Sequence, residues 1–153
     1  SPLDLLTVEG DAPVPLHRGE RASTSIAWSP SLLIGGTQTA ELAYQQRVGR
    51  CIYTDEVVAL TGYLELASKG TATGRVLITG IPIQIGEHPV PVVVAALSLT
   101  GPVQSTILQG IGTGYEIALY MGNSITEANA LRAEHLTDVT TISFSFTYLT
   151  NRA

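Results

Sequence analysis

Apolar and polar residues alternate with a period of two through much of this chain, the signature of extended backbone that buries one side. The alternation is sharpest near the C-terminus, where Ile142, Phe144, Phe146 and Tyr148 interleave with Ser143, Ser145 and Thr147. It predicts a strand over 140–149 with an aromatic core side and a small, hydroxylated outer side, suited to the middle of a sheet. A second run follows Glu56, with Val58, Leu60, Leu64 and Leu66 on one side and Ala59, Thr61, Tyr63 and Glu65 on the other. Its continuation, Ser68-Lys-Gly-Thr-Ala-Thr-Gly74, carries glycines that suit a long hairpin into the next run, Arg75 to Pro82. Shorter strands are predicted at 24–28, 32–34, 39–44, 49–53, 91–99, 103–109 and 115–121. Glycine and proline punctuate them about every 8 to 12 residues, the spacing of a sandwich or barrel.

Two segments depart from this pattern. Residues 1–22 contain Pro2, Pro13 and Pro15 and keep no sustained period, so they read as an extended N-terminal arm ahead of a domain spanning 23–153. The arm is either a disordered or surface-following tail or a clamp on a neighbouring subunit through Leu3, Leu5, Leu6 and Val8. Ser124 to Leu136 offers an N-cap at Ser124 or Thr126, but its apolar positions are too thin for an amphipathic helix. A loop with one or two helical turns is expected there.

The chain has 153 residues, enough for one domain, and only 14% of them are charged against 44% hydrophobic. So little charge points to apolar surface covered by other copies of the chain. The net charge is −5, and the cations, Lys69 and seven scattered arginines, form no cluster for a nucleic-acid backbone. Cys51 stands alone, and the three histidines show no zinc-ligand spacing, so neither metal nor cofactor is expected. No apolar run reaches the roughly 20 residues that span a bilayer, and no ordinary signal segment opens the chain.

Catalytic constellations find little support. Gly110-Ile-Gly-Thr-Gly114 is followed by another strand pattern, not by a helix that would face a phosphate, and reads as a β-turn. Asp55, Glu56, Glu65, Glu87, Glu116, Glu134 and Asp138 are carboxylates of the kind a glycosidase pairs, yet most sit beside turn signals or on outward strand positions. His88 and His135 have serines to partner, but none in a nucleophile elbow. A non-enzymatic protein is the expectation. Exposed aromatic rings, by contrast, are anchors for sugars, and Trp28, Tyr63 and Tyr115, with Glu65 beside Tyr63, are the candidate glycan-binding residues.

The stretch Gly35-Gly-Thr-Gln-Thr-Ala-Glu-Leu-Ala-Tyr-Gln-Gln-Arg-Val-Gly-Arg50, then Tyr63-Leu-Glu-Leu-Ala-Ser-Lys-Gly-Thr-Ala-Thr-Gly-Arg-Val-Leu-Ile-Thr-Gly-Ile-Pro82 and the closing 142–150, resembles a β-sandwich module of tailed-phage fibre and tailspike proteins. Cys51-Ile-Tyr-Thr-Asp-Glu56 departs from the Ile-Gly-Asn turn common in that family. The resemblance implies an all-β, antiparallel, jelly-roll-like sandwich, assembly as a homotrimer with other virion proteins nearby, and a place on the virion surface. Low charge, serine- and threonine-rich outer faces and the absence of a catalytic set lead to the expectation of host attachment through a bacterial surface polysaccharide. The alternative is a capsid decoration, cement or head-fibre protein anchored by the arm.

Overall fold

A computed structural model of the chain describes residues 23–36, 42–101, 103 and 107–150, so the expected arm at 1–22 lies outside the described residues. The strands are β1 (Thr24–Trp28), β2 (Ser31–Ile34), β3 (Ala43–Tyr53), β4 (Val57–Ser68), β5 (Val76–Thr79), β6 (Ile85–Leu97), β7 (Leu108–Gly114), β8 (Glu116–Met121) and β9 (Thr141–Leu149). They form one antiparallel sheet in the order β1-β3-β4-β9-β6-β7-β8-β5-β2, curled into a half-barrel. The all-β expectation holds. The layers are halves of one curled sheet: β6 pairs with β7 through its first part and with β9 through Val93 to Leu97. We call β1, β3, β4, β9 and the end of β6 wing A, and the remainder wing B.

Inward residues of both wings share one core. Leu60, Leu64, Leu66, Phe144, Phe146 and Tyr148 enter from wing A, and Leu32, Ile34, Val76, Ile78, Ile117 and Leu119 from wing B. The aromatic side read from the last strand is buried as expected, and β9 is central, flanked by β4 and β6. The two edge strands follow each other in the chain across Ser29-Pro30, which brings the ends of the sheet together. There the Tyr44 hydroxyl accepts the Leu32 N–H at 2.8 Å, and Arg47 Nη1 donates to Ser31 Oγ at 2.8 Å. An edge donor is thus occupied.

Several local expectations need correction. The expected long hairpin does not form, because β4 lies between β3 and β9 while β5 lies between β8 and β2. Both arms bury the same kind of face, but from opposite wings, and Ser68 to Gly74 crosses between them. The crossing is pinned by Lys69 N–H on Asp138 Oδ1 (2.9 Å) and Ala133 N–H on the Gly74 carbonyl (2.9 Å). Its glycines still supply left-handed backbone: Gly70 has φ +70° and Gly74 φ +118°. Gly74 also packs on Gly35, whose Cβ, were it present, would fall 2.3 Å from the Thr73 carbonyl oxygen.

The runs at 39–44 and 49–53 belong, from Ala43 on, to one strand, β3, with an irregularity between Ala43 and Gln46. Gly110 and Gly112 lie within β7 rather than in a turn. A Cβ on Gly110 would press on Val94, Ile117 and Val92 at 3.0–3.1 Å, and one on Gly112 would fall 2.8 Å from the Ile85 Cδ1. β7 itself begins at Leu108, later than the pattern suggests. The loop after β8 carries two 3-10 turns, Glu127–Asn129 and Ala133–His135, in keeping with the expectation for that segment.

Candidate binding face on wing A

The strand register sets the outer surface of wing A row by row. Val48, Tyr63, Ser143 and Ala95 are successive partners across β3, β4, β9 and β6, and Arg50, Thr61, Ser145 and Val93 make the adjacent row. The middle of this face carries small or hydroxylated side chains, so it sinks into a shallow open groove of about 340 Å³. Apolar side chains flank it on both sides, with exposed Arg50 between Val48 and Ile52 on β3. Val93 and Leu97 on β6 are 74% and 71% exposed, and Val48 and Ile52 on β3 are each about half exposed.

Tyr63 and Glu65, two residues apart on β4, share this face, and the Tyr63 hydroxyl donates to Glu65 Oε1 at 3.2 Å. Partial desolvation, followed by the hydrogen bond to Glu65 and its negative charge, holds the Tyr63 phenol above the usual tyrosine value. The phenol O–H is spent on the carboxylate. Glu65 keeps its second oxygen for a ligand donor, and Thr61, Ser143 and Ser145 add hydroxyls that both donate and accept. Apolar margins, hydroxyls and one carboxylate match the two-sided character of a pyranose.

The other two candidates lie elsewhere. Trp28 is 8% exposed: its ring meets Phe144 edge-on at 5.9 Å and its Nε1–H donates to the Arg50 carbonyl at 3.3 Å. It is a core residue and offers no ring to a sugar. The signal was in the sequence, since Trp28 has the parity of Ile26, while Ser25 and Ala27 point out. Tyr115 is 51% exposed at the turn between β7 and β8, at the end of wing B and on a different surface from Tyr63. Arg50, Thr61 and Val93 also belong to this face, and the hydroxylated side of β9 is the sequence signal that marks it.

A second depression, about 520 Å³, lies under the end of β6 and is walled by Leu97, Leu99, Val103, Ile107 and Leu108. Apart from Ser98 its lining side chains are apolar, and none of them titrates. Among the described residues no three His, Cys, Asp or Glu side chains gather at a distance that would hold a metal ion. A scan against protein-family models finds no match, and a search of curated proteins finds no similar sequence.

Proposed function

We propose that the chain is a non-enzymatic module of a virion appendage of the tail-fibre or tailspike type, which assembles as a homotrimer and contributes to recognition of a host-surface glycan. The observation that carries this reading is the outer face of wing A. Solvated sheet faces are normally rich in charge, whereas this one, with Arg50 and Glu65 as charged members, places exposed Val48, Ile52, Val93 and Leu97 around a hydroxylated middle. A sister subunit seated along one apolar margin leaves Tyr63, Glu65, Ser143 and Ser145 lining a groove between subunits. The motif residues behind the phage resemblance are compatible with this reading, because Gly35, Gly74 and the Ser68 to Gly70 segment form the turns that join the wings.

Sedimentation equilibrium of the full chain, together with binding to arrayed bacterial envelope polysaccharides, tests both parts. The expected result is a trimer that binds saturably and loses binding in Tyr63→Ala. A species that stays monomeric at high concentration removes the assembly, and an intact trimer that binds no envelope polysaccharide removes the recognition role.

A further inference from the structure

On wing B, outside the face described above, two arginines converge on one carboxylate. Arg75 Nη1 lies 3.2 Å from Glu127 Oε1, and Arg132 Nη2 lies 3.0 Å from Glu127 Oε2. Arg75 Nη2 also donates to the Tyr120 hydroxyl at 3.0 Å, with its guanidinium over the Tyr120 ring at 5.4 Å. We propose that Arg75, Arg132 and Tyr120 form an anion site which Glu127 fills in this structure, and which the carboxylate of an acidic saccharide takes in its place.

Three observations separate this cluster from an ordinary surface ion pair. The arginines are positioned by backbone: Arg75 and Arg132 are bridge partners, Val76 N–H donates to the Leu131 carbonyl, Leu131 N–H to Leu119, and Leu131 is fully buried. The bridge fixes where the two side chains begin, and Arg132 Nη2 also donates to the Glu127 backbone carbonyl at 3.3 Å, a contact that a ligand taking the place of the side-chain carboxylate leaves intact. Glu127, in contrast, sits on a 3-10 turn with no buried residue, and its side chain is 66% exposed. Nothing in the core holds that carboxylate in place.

The third observation is the geometry of the ion pairs themselves. Glu127 reaches each arginine through a single oxygen, so neither guanidinium is gripped by a two-pronged carboxylate, the stronger arrangement. A ligand carboxylate, not tethered to the turn, is free to take that geometry. The site stands on its own geometry; only the saccharide that carries the carboxylate rests on the function proposed above.

Titration of the full chain with D-glucuronate, followed through the arginine Nε–Hε resonances and by calorimetry, tests the site. Glucose serves as the neutral control and sulfate as the alternative anion. Glu127→Gln is expected to bind glucuronate about tenfold more tightly than the parent, since one charge-assisted competitor is removed. Adding Arg132→Gln to Glu127→Gln is expected to return the response to the level of glucose. Should Glu127→Gln fail to fold, Glu127→Asp, which draws the carboxylate back by one methylene, is expected to change affinity in the same direction. Equal affinity in Glu127→Gln and the double variant overturns the proposal, as does a site that responds to sulfate but not to glucuronate. Polysaccharide binding lost in Tyr63→Ala, with the glucuronate response unchanged, separates this site from the wing A face; a glucuronate response without any polysaccharide binding leaves the site standing and removes the recognition role.

Discussion

Gly49 lies directly opposite Gly62 across β3 and β4, on the inner side of wing A, and the hollow they leave is filled by two rings. A Cβ on Gly62 would fall 2.2 Å from the ζ carbon of Phe144, and one on Gly49 would fall 2.5 Å from Trp28 Nε1. The edge-to-face contact of those rings thus depends on two missing side chains from neighbouring strands. Glycine weakens a strand by itself, and here the packing of large aromatic surfaces offsets that cost.

Gly62→Ala should therefore destabilise the fold by about 1–3 kcal/mol through overpacking. Urea denaturation measures it. Phe144→Leu in the same chain should recover part of the loss, because the shorter side chain vacates the colliding position. Additive effects of the two substitutions would show that the collision is not the cause.

Tyr44→Phe removes the acceptor for the Leu32 N–H at the edge of β2. The expected cost is about 1 kcal/mol, the usual net worth of such a bond. Amide exchange at Leu32 should accelerate relative to Ile78, its partner on β5. Unchanged exchange would show that the hydroxyl does not guard the edge.

Alkaline titration reports on the Tyr63–Glu65 pair. The folded-state value of Tyr63 is raised, so proton binding favours the folded form. That contribution is fully present below the unfolded tyrosine value and is lost as pH rises through the folded one. Glu65→Gln removes the charge and should bring tyrosinate formation at Tyr63 to lower pH, as followed by ultraviolet absorbance against a Tyr63→Phe blank.

Leu97→Lys places a charge on the apolar margin of wing A without touching the core, since Leu97 is largely exposed. Under the proposed function, sedimentation should show dissociation while the far-ultraviolet circular dichroism spectrum and melting temperature of the subunit stay close to the parent. Assembly that persists unchanged would move the interface to another face.

The period-two alternation made faces legible, and it did so residue by residue. Ile142, Phe144, Phe146 and Tyr148 are buried as their spacing requires, and Tyr63 and Glu65 share the outer side of β4. Alternation says which side of a strand is inside but not which strand lies beside it. β4 and β5 have the same pattern whether they pair or face each other across a core, and the connection at 68–74 is long enough for either. The glycines of β7 were equally opaque, because glycine marks a turn by its φ and a close approach by its lack of Cβ, and sequence does not distinguish the two. For Trp28, parity with Ile26 is a better guide to burial than residue type. The convergence of Arg75 on Glu127 and Arg132 needed the structure, since Arg75 lies 52 residues from Glu127 in the chain.

The thirteen-residue strand β6 belongs to both wings at once. Neither half has a rim of its own at that seam along which it can peel away while the other persists, so heat should produce one sharp calorimetric transition. A nick anywhere in Val90 to Ala95 should cost the molecule both halves together.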